Sequence, residues 1–176
     1  MVLVEVRWPL SAASVQMLKD LPSAVSEVFE NALVCEFTVV SPKGRPVTHP
    51  LLPLYDSQEG RLYVTSSVLF SRKLDHVKRN PKVSALFSNR EALLVSPYRI
   101  VLVKGVAKVG EEDVHHGWEK LLPLWRKKEP YIDSFVKMRY ALPLFWERSV
   151  VEISPVKVYA WLNGDSNTQP AIYGAS

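Results

Sequence analysis

The sequence predicts a mainly β, α+β domain built on an antiparallel barrel of six strands with flanking helices. Three observations lead there. Short β-branched and aromatic runs recur along the chain, separated by Gly, Pro, Asn or Asp turns. The turns are tight enough for hairpins rather than crossovers, as at Ser41-Pro42-Lys43-Gly44. Helical periodicity is confined to the start, to one short basic segment and to one stretch before the last strand.

Met1 to Pro9 reads as an apolar arm or short strand, and Ser11 to Glu30 as two short helices divided at Pro22. Asn31 to Val40 is the first strand, with Cys35, Phe37 and Val39 on one face. The returning strand, Arg45 to Tyr55, carries Pro46, Pro50 and Pro53 and is therefore expected to be irregular or to lie at an edge. Arg61 to Thr65, Val83 to Ser88 and Tyr98 to Val109 are further strands, and Gly105 suggests a bulge in the longest. Ser149 to Trp161 alternates as the closing strand. Residues 1–30 then form an arm and helices, 31–162 the barrel with a helical insertion at 111–147, and 163–176 a loose polar tail.

At 176 residues the chain is long enough for one real core, and its 47% hydrophobic content is ordinary. A net charge of +4 suits an anionic ligand but falls short of the concentrated basic patch of a nucleic-acid binder. Trp118, Trp125 and Tyr131 near Arg126, Lys127 and Lys128 allow a base-stacking reading. Their core-like spacing favours covering the barrel, a dimer seam or a ligand pocket instead. With the single cysteine Cys35 inside an apolar run, no intrachain disulfide framework is possible and a reducing, cytoplasmic setting is the expectation. No apolar run approaches the ~20 residues of a membrane span. His115 and His116 are adjacent, so on a helix they point about 100° apart and cannot chelate one ion; no metal is expected. No G-x-S-x-G elbow supports a serine hydrolase.

The chemistry concentrates in Leu62 to Lys82. A strand runs into a polar turn and then a short helix with Ser71 as N-cap, Arg72 and Lys73 in its first turn, Leu74 and Val77 facing inward and Pro81 as terminator. Backbone N–H groups, a hydroxyl and two cations at a helix start make a candidate phosphate site.

In this order of elements the chain resembles the pyridoxamine 5′-phosphate oxidase-like family, the FMN-binding split barrels. The carriers are the hairpin TVVSPKGRPVTHPLLPLYD from Thr38, GRLYVTS from Gly60, SRKLDHVKRNPKVSALF from Ser71 and RIVLVKGVAKV from Arg99. The resemblance implies a homodimer with FMN in a cleft between the subunits. It implies that Ser71, Arg72 and Lys73 grip the FMN phosphate and that Val64, Thr65 and Ser66 lie along the isoalloxazine ring. His49, Pro50 and Leu51 would fall among further ring and phosphate contacts.

The chain also departs from the oxidase that names the family. His49 replaces a basic residue, Leu54 stands near the place of a lysine for the substrate phosphate, and Ile100 replaces a flavin-contacting glutamine. Ala160-Trp161-Leu162-Asn163 lacks the closing Arg-x-His, and the loop from Thr65 to Ser71 is two residues longer. The resemblance thus implies a flavoprotein, an oxidoreductase without that oxidase's substrate-binding residues. A deazaflavin coenzyme in the same cleft, with its tail on Lys78, Arg79 and Lys82, and a non-enzymatic flavin carrier or sensor are the alternatives. No proton-transfer residue is identified; His49 is the titratable side chain to test.

Overall fold

The structure, a computed structural model, describes residues 12–110 and 113–174; the expected arm at Met1 to Pro9 lies outside them. Helices α1 (Ala12–Lys19) and α2 (Ser23–Asn31) meet at Pro22, whose extended backbone breaks the helical path. They bury Leu18, Val25, Val28 and Phe29, and the Tyr55 hydroxyl donates to the Leu18 carbonyl at 2.9 Å.

Strand β1 (Cys35–Val40) alternates buried and half-buried side chains. It turns through Gly44, which at φ +73° takes the left-handed conformation the hairpin needs. The expected strand Arg45 to Tyr55 is two strands: β2 (Pro46–Leu51) pairs with β1, and β3 (Leu54–Asp56) pairs with β4 (Arg61–Ser67). Pro53 cannot donate to a ladder, so the chain changes partners there. A 3-10 turn at Val68–Phe70 leads into α3 (Arg72–Arg79), then β5 (Lys82–Phe87) and β6 (Ile100–Gly110). β7 (Arg148–Trp161) and β8 (Ala171–Gly174) close the sheet.

Every pairing is antiparallel, in the order β2-β1-β5-β6-β7-β4-β3, with β8 added on β7. The six expected strands are therefore seven along the path and a short eighth beside it. The tail from Asn163 is not loose throughout, because Ala171–Gly174 pair with Lys157–Ala160 and the Trp161 indole donates to the Thr168 carbonyl at 2.9 Å.

β7 is the spine. β6 runs along one edge from Ile100 opposite Trp161 to Gly110 opposite Val150, while β4 and β8 share the other edge. The register shifts between Lys104 and Gly105, where any Cβ would collide with the Ser154 carbonyl.

The barrel core includes Phe29, Phe37, Val64, Phe87, Val103 and Val158, all at most 1% exposed. A second cluster lies outside it. Here a 3-10 turn (Glu119–Leu121), α4 (Leu122–Lys128), α5 (Ile132–Lys137) and α6 (Pro143–Trp146) gather around Trp118, Trp125 and Trp146 against Leu54 and Val150. The Trp118 and Trp146 rings stack with centroids 5.4 Å apart. Lys128 fastens this insertion to α2, its Nζ donating to the Phe29 and Ala32 carbonyls at 2.7 Å each.

Candidate anion and cofactor site

The C-terminal end of β4 and the start of α3 form a buried basic centre. Ser71 does not cap α3 with its side chain: its backbone is already helical, at φ −67° and ψ −20°, whereas a capping side chain works from an extended backbone. Ser67 takes that role one turn earlier, its Oγ accepting from the Leu69 N–H at 3.2 Å. Ser71 and Arg72 stand exposed at the mouth of the centre.

Lys73 turns inward. Its Nζ donates to Ser66 Oγ and to the Phe70 carbonyl, both at 3.0 Å, and lies over the Phe70 ring. Burial, then the neighbouring Arg148, lowers the Lys73 pKa. An ammonium carries three N–H groups, so one remains for a ligand. His76, on the same helix, is also buried, and its Nδ1 has no hydrogen-bond partner. His49 reaches the centre from β2 and its pKa is lowered, first by burial and then by Lys73 and His76. Among the described residues none of these three bases is ion-paired with a carboxylate.

Of the other expected contacts, Val64 is buried in the barrel, Pro50 is exposed opposite Glu36, and Leu51 is half-buried opposite Cys35. Ser66, 2% exposed, shares the core-facing side of β4 with Val64. Thr65 faces the other way, and its Oγ1 accepts from Arg148 Nε and Nη2 at 3.1 and 3.0 Å. The structure thus gathers Ser66, Lys73 and His49, adds His76, and leaves Pro50 and Leu51 on the strand beyond. Unpaired basic groups, a hydroxyl and one orphaned ring nitrogen are the donor set an oxyanion requires, so a phosphate fits here.

No protein-family model and no curated protein sequence matches the chain, but solved structures do. A Clostridium acetobutylicum protein related to general stress protein 26 of Bacillus subtilis, of the pyridoxinephosphate oxidase family, superposes with a TM-score of 0.60. It is 10% identical, and the match covers 91% of this chain and 95% of that one. The chain has the split-barrel fold of that family. A conserved hypothetical protein of Mycobacterium tuberculosis shares the split barrel at TM-score 0.57 and 17% identity, with 80% of this chain and 84% of that one covered. An F420 reductase does so at 0.55 and 18%, with 78% and 98% covered.

The outward face of the split barrel carries a hollow of about 570 Å³ lined by Thr38, Val40, Ser84, Lys104, Val106 and Val156, among others. On the same face of β1, Glu36 Oε2 is buried without a hydrogen-bond partner. His115 and His116 are paired with Glu147 at 3.3 Å and Glu119 at 2.9 Å, and no metal-ligand cluster occurs among the described residues. No described helix is long and apolar enough to cross a membrane. Sequence reasoning missed His76 and Arg148. His76 follows Lys73 at helical spacing i+3 and was legible as a same-face neighbour, but Arg148 lies beyond the insertion and carried no local signal.

Proposed function

We propose that the chain is an FMN-binding flavoprotein, active as a homodimer and catalysing oxidoreduction. The observation that carries this is the basic centre at the end of β4, buried Lys73 and His76 with half-buried His49, which pairs with no carboxylate among the described residues. In that reading Ser66 holds the Lys73 ammonium toward the phosphate, Ser71 and Arg72 close over it from the α3 mouth, and Val64 to Ser66 present their strand to the ring. FMN supplies the electron-transfer chemistry, and the protein supplies binding and orientation. Burial, then Lys73, lowers the His49 pKa and so favours the neutral imidazole, which leaves it able to accept a proton as a dianion arrives. The hollow on the outward face and the unpartnered Glu36 oxygen support a subunit contact there.

The purified protein should be yellow, or turn so on adding FMN. Arg72→Ala with Lys73→Ala should weaken FMN by about 3 kcal/mol as two charge-assisted contacts go, while riboflavin, which lacks the phosphate, loses little. Unchanged FMN affinity in the folded double variant would end the proposal.

A deazaflavin coenzyme is the second reading. It is favoured by the fold shared with an F420 reductase and by the cations Lys78 and Arg79 in the last turn of α3 and Lys82 at the start of β5. Parallel titration with FMN and F420 separates the two. A flavin carrier or sensor would bind FMN yet show no reduction by NADH or NADPH.

A further inference from the structure

A second cation without a counter-ion lies on the other side of β4. Arg148 opens β7, and its guanidinium stands 5.2 Å from the Trp125 ring centroid and 5.1 Å from that of Phe145. Besides the two bonds to Thr65 Oγ1, its Nη1 donates to the Phe145 carbonyl at 3.3 Å. A guanidinium has five N–H groups, so these three bonds leave one on each terminal nitrogen. Both acceptors, the Thr65 hydroxyl and the Phe145 carbonyl, are neutral, and no carboxylate pairs with Arg148 among the described residues. Burial lowers its pKa to about 10. Aromatic faces offset part of the cost of burying a cation, but they do not replace a counter-charge.

The surroundings are apolar and open. Leu69 and Phe70 of the 3-10 turn are 53% and 60% exposed, and Leu144 and Phe145 of α6 are 52% and 39% exposed. They form one lip, because Ser67 Oγ donates to the Leu144 carbonyl at 2.8 Å and the Val68 N–H to the Glu147 carbonyl at 2.9 Å. Contiguous exposed apolar side chains mark a surface that binds something. Here the surface ends on a fork whose two spare N–H groups match the two oxygens of a carboxylate.

We propose that Arg148 and this lip bind an amphipathic carboxylate, its head on the guanidinium and its apolar body along Leu69, Phe70, Leu144 and Phe145. Thr65 and Arg148 occupy the face of β4 opposite Ser66, and the lip adjoins the Lys73 centre at Phe70, whose carbonyl accepts from Lys73; the spare N–H groups of the guanidinium do not rest on the flavin reading. Were FMN held at that centre, such a carboxylate would be the class of substrate brought beside it.

Decanoate and decanol distinguish the head from the body. Titrated into the full chain and followed by tryptophan fluorescence, which Trp125 reports beside the guanidinium, decanoate should bind about ten-fold more tightly than decanol. In Arg148→Gln that preference should vanish, with decanol unaffected, and Arg148→Lys should restore only part of it. Equal affinities in the unaltered protein, or a preference that survives Arg148→Gln, would overturn the proposal. If Arg148→Gln does not fold, the comparison in the unaltered protein decides alone. Absence of binding by either compound, with Leu144→Asp converting a dimer to monomers, would instead assign the lip to a second copy of the chain. The outcome is read without FMN and is untouched if FMN fails to bind.

Discussion

Inside the barrel, Val64, Val103, Ile153 and Val158 pack as aliphatic side chains on strands that are already tied to neighbours by ladder hydrogen bonds. In the insertion, three indoles do the same work without such a frame. α4, α5 and α6 have seven, six and four residues, well below the length at which a helix holds by itself, so Trp118, Trp125 and Trp146 organise them. The barrel core is fully buried, with Phe37, Val64 and Val103 at 0% exposure. The insertion leaves Tyr131, Phe135, Met138 and Tyr140 exposed on its outer side. A framework that is over-determined can be read strand by strand, whereas one built on a few large contacts depends on each of them.

The sharpest way to break the contrast is Trp118→Ala, which removes the fully buried ring at the centre of the insertion and should cost about 3–5 kcal/mol in urea unfolding. Hydrogen exchange should then show the amides of the insertion opening while β1, β5 and β6 stay protected; uniform loss across both regions would erase the distinction. Lys128→Ala cuts the tie between the regions. It strands the Phe29 and Ala32 carbonyls and should cost on the order of 3 kcal/mol, as charged hydrogen bonds do. Gly105→Ala tests the barrel alone. Its Cβ meets the Ser154 carbonyl, so backbone must shift, at about 1–3 kcal/mol, with the insertion's exchange unchanged.

The smallest effect is a pH dependence at the basic centre. His49 has a folded pKa below its usual 6.5, so it is neutral in both states above that value. As pH falls below 6.5 the unfolded chain takes up the proton first, and stability drops until the folded pKa is passed. The ring is largely solvated, and solvent screening keeps the loss to a fraction of about 1 kcal/mol between about pH 7 and pH 5. Urea unfolding followed across that range should show the loss in the unaltered protein and none in His49→Gln. Bound phosphate should reverse the sign by favouring the imidazolium, visible as proton uptake in calorimetry.

The same contrast explains what was legible in the sequence. Hairpin turns, period-two alternation and the break at Pro22 are local signals, and they place α1, α2, β1, β4, β5, β6 and β7 well, including the irregularity at Gly105. The partner change at Pro53 and the return of Ala171–Gly174 onto β7 depend on which edge is vacant, which no local pattern states. At the site, Lys73 and His49 could be named from sequence, but not that Lys73 folds inward onto Ser66 or that Arg148 arrives from the far end of the insertion. Those placements follow from long-range packing.

The divided edge of β7 has a practical side. Were the chain cut after Leu162, Lys157–Ala160 would present bare N–H and C=O groups beside the exposed Val156. That is the kind of unguarded border along which foreign strands add, so the shortened protein should self-associate at concentrations where the full chain does not.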